Sequence, residues 1–205
     1  MNLKSHFNSK SDTIRMLHTE PDMCGKISEK IVSWLPNSPR EYVVVCIGTD
    51  RSTGDALGPL TGSYLDEQKP RHISVYGTLY DPVHATNLHD YMNLIHQNHK
   101  NPFIIAVDAC LGKTSSVGHI IASEGALKPG AALNKPLPAV GDIHVTGVVN
   151  ISGFMEYSVL QNTRLSIVIS MAKKIASILV TIDQQLTYNQ ISPAVVMKQL
   201  KENSI

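Results

Sequence analysis

Residues 46–62 read CIGTDRSTGDALGPLTG, and their place directly after the apolar run YVVV at 42–45 decides how the rest of the chain is read. A glycine-bearing loop between a strand and a helix is where phosphate-binding loops sit, and their pattern GxxxxGK[ST] sets a lysine against phosphate charge. Here five residues separate Gly48 from Gly54, and Asp55 stands where that lysine would be. A carboxylate there repels phosphate by direct Coulomb interaction, and the dinucleotide pattern GxGxxG is missing as well. The loop therefore belongs to an α/β protein but was built for neither anion.

Working outward, the stretch DALGPLTGSYLDEQ (55–68) predicts a helix in which Pro59 is tolerable only in the first turn. HISVYGTL (72–79) predicts a second strand, ATNLHDYMNLIHQNH (85–99) a second helix and PFIIAVDAC (102–110) a third strand. That alternation implies parallel strands joined by right-handed crossovers. VGHIIASEG (117–125) predicts a fourth strand, reached through LGKTSS, a link too short for a crossover helix and so consistent with antiparallel pairing. The stretch GALKPGAALNKPLPAVGD (125–142) reads as a loop and IHVTGVVN (143–150) as a fifth strand.

Ahead of the first strand, GKISEKIVSWL (25–35) puts Ile27, Ile31 and Leu35 on one helical face. Residues 154–186 read as helix with a break near Asn162, and SPAVVMKQLKEN (192–203) as a last helix with Ser192 as N-cap. Residues 1–20 are polar and aperiodic and are expected to form a loose arm on a single domain spanning 1–205.

With 42% hydrophobic residues among 205, the chain can bury one substantial core. Eighteen basic and 17 acidic side chains give a net charge of +1, which lacks the positive field that nucleic-acid or anionic-membrane binding draws upon. The start has no apolar secretion signal, and the greasiest run, LSIVISMAKKIASILVTI, is interrupted by Lys173 and Lys174. Cys24, Cys46 and Cys110 have no CxxC spacing, which fits a reducing compartment. A cytoplasmic location is expected, with no nucleic-acid or membrane partner; homo-oligomerisation stays open.

Ligands and catalytic groups of open α/β sheets collect beyond the carboxyl ends of the strands. Asp55 follows the first strand and Asp108 ends the third. If those strands are neighbours, as in the doubly wound order 2-1-3, two carboxylates meet across one crevice. One then donates a proton while the other accepts one, or a cation is held by both; either arrangement can activate water. The structural alternatives are that Asp55 caps the helix opening at Ala56 and that Asp108 binds loop amides.

The pair GTDRSTGDALGP and VDAC resembles the matching motifs of the germination protease of spore-forming bacteria, and more closely the related sporulation protein family typified by YyaC. The resemblance runs from Tyr42 to the long final helix, and GALKPGAALNK is similar to a loop at the same place in the order. It implies a three-layer α/β/α sandwich with a mostly parallel sheet, as in the hydrogenase maturation proteases, and a peptidase-like hydrolase acting on a protein or peptide in a sporulating cell or spore. Asp55 and Asp108 correspond to the two acids implicated in peptide hydrolysis. No cofactor is expected. Maturation proteases hold a metal with two acids and a histidine, so a divalent metal stays open, with His144 the candidate beside Asp55 and Asp108 and Lys128 in the equivalent loop.

Arg51 is a candidate for a substrate carboxylate or carbonyl, and the amides around Gly48 and Gly54 for a developing oxyanion. Cys110 paired with His144 would instead make a thiol nucleophile. His84, His89, His96 and His99 cluster in the second helical region; His89 and His96, seven apart with no acid beside them, read as a solvated helix surface rather than a metal site.

Overall fold

Buried runs of β-branched residues build the centre of the molecule, for which the computed structural model describes residues 12–38, 40–129 and 137–191. The strands are β1 (Thr13–Leu17), β2 (Tyr42–Cys46), β3 (Ile73–Tyr76), β4 (Phe103–Gly112), β5 (His119–Glu124) and β6 (Ile143–Ile151). The helices are α1 (Met23–Trp34), α2 (Leu57–Glu67), α3 (Leu88–Asn98), α4 (Glu156–Gln161) and α5 (Leu165–Ile191). The strands form one sheet in the order β1-β5-β6-β4-β2-β3. β2 pairs in parallel with β3 and β4, and β4 with β6, while β5 runs antiparallel to β6 and β1.

Every residue of β2 is buried, as expected for a parallel strand covered on both faces. Alternation then sorts its neighbours. Val44, Cys46, Ile105, Val107 and Val145 belong to the core shared with α1, α2 and α5. Val43, Val45, Ile104 and Ala106 belong to the core under Leu88 and Ile95 of α3. The result is the expected α/β/α sandwich.

α5 is long and apolar enough over Leu165–Leu186 to cross a membrane by length and composition. Here it is a core helix. Val168, Met171, Ile175, Ile178 and Ile182 are fully buried in the core that α1 and α2 also line, whereas Lys173, Lys174 and Ser177 are exposed. Each such buried aliphatic side chain contributes roughly 1.5–3 kcal/mol. The helix break near Asn162 is present, with Asn162 ending α4 and α5 opening at Leu165.

Two expectations need correction. Part of the supposed loose arm is the edge strand β1, whose Thr13 hydroxyl lies 3.0 Å from that of Ser123, 110 residues further on. Pairing with so distant a partner supplies the order that local pattern does not. The fourth strand is antiparallel, but not to the third: β6 returns and inserts between β4 and β5. Residues 1–11 and the helix expected from Ser192 lie outside the described residues.

Candidate functional site

Because β2 and β4 are adjacent and parallel, their carboxyl ends open on one edge. The Ile47 amide donates to the Val107 carbonyl at 2.7 Å, carrying the pairing up to the residue before Asp108. Gly48 then turns the chain at φ +146°, and a Cβ on it would stand 2.0 Å from the Asp55 carbonyl oxygen, so only glycine permits the loop to fold back this tightly. The Thr49 amide closes the loop on the Asp55 carbonyl at 3.2 Å, and the Ala56 amide donates to Ser52 at 2.9 Å, starting the turns that lead into α2. α2 has no side-chain cap, so Asp55 does not spend its carboxyl as one.

A cavity of about 460 Å³ lies at this edge, lined among others by Asp55, Asp108, Ser52, His84, Cys110 and Tyr157. Asp108 is 7% exposed, and its Oδ1 accepts the Ala109 amide at 2.8 Å. Burial, reinforced by the neighbouring Asp55 charge, pushes its carboxyl well above the ordinary carboxylate range. Burial also pushes Asp55 up, to about 6, against the opposing pull of the Thr49 amide and His84. Both carboxyls that line the cavity are thus raised above the ordinary carboxylate range.

Other sequence candidates fall out differently. Arg51 is exposed at the cavity mouth. Of the loop amides expected to serve an oxyanion, the two glycine amides themselves are already engaged: Gly48 donates to Val83 and Gly54 to Leu160, each at 2.8 Å. What Gly54 supplies is room, since a Cβ there would come within 2.9 Å of the Leu160 side chain and Thr163 hydroxyl.

His144 pairs with Ala106, two residues before Thr146, which stands opposite Asp108. That step moves it roughly 6.6 Å back along the sheet. Its Nδ1–H donates to the Gly125 carbonyl at 2.8 Å. Among the described residues no three His, Cys, Asp or Glu side chains converge as a metal set. The described residues thus do not fit the three-ligand arrangement expected of a maturation-type metal. The thiol alternative is corrected too: Cys110 is bonded to Thr146 rather than His144, and burial raises it to about 11, which keeps it protonated.

His84, grouped by sequence with the histidines of the second helical region, belongs to the cavity instead. It precedes α3 and is not on its surface, because the bridge of Ile47 to Val83 extends the sheet and carries His84 to the cavity. Asn87 Oδ1 accepts its amide at 2.8 Å and the Thr86 hydroxyl meets its Nδ1 at 2.9 Å. His89 and His96 are exposed on α3, and His99 is bonded to Glu41 and Tyr76.

α4 roofs the same edge, tied to the loop through Gly54 and to β6 through the Asn150 amide, which donates to Val159 and Thr163. Around it lies an exposed apolar rim: Phe154 at 97%, Met155 at 69%, Tyr157 at 61% and Leu165 at 53%. Nothing in the sequence periodicity marked these residues as a surface, since they read as the start of a long helix.

Residues 15–178 match the family described as "Protein of unknown function (DUF1256)", and the chain belongs to that family. It is 51% identical over 179 residues to "Uncharacterized protein YyaC" of Bacillus subtilis (strain 168), across 86% of this chain and 87% of that one. Its fold is similar to that of the [NiFe] hydrogenase maturation protease HycI from Thermococcus kodakarensis KOD1, with a TM-score of 0.51 at 14% identity, over 75% of this chain and 99% of that one.

Proposed function

We propose that this member of the DUF1256 family is a peptidase-like hydrolase of protein or peptide substrates, akin in its loop motif to the germination protease and acting in the cytoplasm of a sporulating cell or spore. The observation that carries the reading is a single cavity lined by Asp108 of β4 and Asp55 of the loop after the neighbouring parallel strand β2, both carboxyls raised above their ordinary range by burial. A fold like that of a maturation protease is compatible with it.

In this reading Asp55, ionised at neutral pH, takes a proton from a water as its oxygen attacks the scissile carbonyl carbon. Asp108 gives its proton to the carbonyl oxygen, so the intermediate is a neutral diol. On collapse Asp55 passes its proton to the leaving nitrogen, and Asp108 recovers one from a diol hydroxyl. A base titrating near the working pH is best placed for such a transfer, worth roughly 10²–10⁴-fold in rate. The apolar rim around Phe154 and Tyr157 suits an extended segment carrying apolar side chains.

The test is cleavage of fluorescein-labelled casein and of small acid-soluble spore proteins, the substrate class that the germination-protease resemblance implies. Wild-type protein should cleave, and Asp55→Asn and Asp108→Asn should not. The exposed rim also favours a second reading, a non-catalytic peptide-holding protein. Wild type that binds casein without cutting it, with both asparagine variants binding equally, would establish that reading and end the first.

A further inference from the structure

With the Gly48 and Gly54 amides engaged, the cavity wall still includes a buried hydroxyl that no described residue satisfies. Ser52 lines the cavity, is only 6% exposed, and its Oγ makes no hydrogen bond among the described residues. Leaving a buried hydroxyl unpaired costs roughly 1–3 kcal/mol, and folded chains normally satisfy such groups. Nothing in the loop requires it. The backbone of Ser52 does the structural task, its carbonyl accepting the Ala56 amide at 2.9 Å, and alanine would keep that bond. The hydroxyl of a serine both donates and accepts and rotates to suit its partner. It is two residues before Gly54 in the loop whose Asp55 lines the same cavity.

From this we infer that Ser52 is a ligand-contacting donor, its hydroxyl bonding the carbonyl oxygen of a bound peptide at the point of cleavage and taking the part that the engaged glycine amides do not. The inference rests on the hydrolase reading for the identity of the ligand. It does not rest on it for the claim that Ser52 is kept for a ligand rather than for the fold. The donor holds the carbonyl while water adds, and its bond strengthens as that oxygen gains electron density ahead of the proton it takes from Asp108.

Two measurements on the full chain test it. Thermal unfolding without any ligand compares wild type with Ser52→Ala. The expected melting temperature is unchanged or raised, because an unsatisfied hydroxyl has been removed. A fall of about 4 °C or more, or a variant that does not fold, shows Ser52 to be structural and overturns the inference. The second measurement is the rate on fluorescein-labelled casein. Ser52→Ala should lower kcat roughly 100-fold with little change in KM, as loss of a transition-state donor does. If Asp55→Asn is inactive while Ser52→Ala keeps full kcat, the inference fails and the hydrolase reading stands. If wild type does not cleave at all, the hydrolase reading fails, and the unfolding comparison alone decides whether Ser52 serves the fold.

Discussion

Asp108 and Asp183 are buried to nearly the same degree, 7% and 6% exposed, yet they are treated in opposite ways. Asp183, on α5, accepts the backbone amides of Arg71, His72 and Ile73 at 3.0, 2.8 and 3.1 Å, tying the helix to the start of β3. Asp108, midway along β4, accepts the amide of its own successor and feels the charge of a second acid. A carboxyl given three amides is a clasp. One given a neighbouring carboxylate and a cavity is held in a state that costs stability, which is where the proposed proton transfer draws its acid.

The largest effect that would break this contrast is on turnover. Asp108→Asn should abolish casein cleavage, a loss of 1000-fold or more, while leaving the melting temperature level or higher. Asp183→Ala should do the reverse. It strands three backbone amides, so stability should fall by about 3 kcal/mol in a urea titration, with cleavage per folded molecule unchanged. If both substitutions cost stability alike, the two regions are equivalent and the site is only structure.

How much of this was legible in the chain follows the same division. YVVVC and FIIAV announced central strands because β-branched residues buried on both faces leave no polar alternation, and a shared crevice for Asp55 and Asp108 followed from parallel order, although β4 runs on past Asp108 to Gly112. The clasp was invisible. Asp183 sits in a helical stretch with nothing local to show that residues 71–73 will reach it. β1 was missed likewise, since TIRML is too short and mixed to announce an edge strand whose partner is fixed only by tertiary pairing. His84 and Ser52 were unreadable as site residues because what brings them to the cavity is the bridge at Val83 and the fold-back at Gly48, both contacts between segments.

A smaller, signed effect sharpens the contrast through pH. Asp55 has its folded-state value raised from 3.8 to about 6, so the folded chain binds the extra proton between those values. Its favourable contribution is therefore fully present below about pH 4 and lost as pH rises through 6. Asp55→Asn should unfold later than wild type at pH 8, by roughly 2 kcal/mol, and the gap should close as pH falls toward 4. Cleavage by wild type should run the other way, rising about tenfold per pH unit below 6 as the base ionises. A stability gap that widens in acid would mean that Asp55 is paired in the fold after all.

The smallest effect concerns the rim, which the proposed hydrolase uses to receive substrate. Phe154 at 97% exposure buries almost nothing, so Phe154→Ser should leave the melting temperature within about 1 °C, as surface changes do. If the rim receives apolar side chains of a substrate, the same change should raise KM for casein several-fold with kcat unaltered, because a contact made equally in ground and transition states is lost. Tyr157→Ser, closer in and part of the cavity wall, should show a larger rise in KM together with some loss of kcat. The order of the two variants carries the argument: a rim that guides a chain toward Asp55 must matter more with each step inward, whereas a merely sticky surface would rank them by exposed area, with Phe154 first.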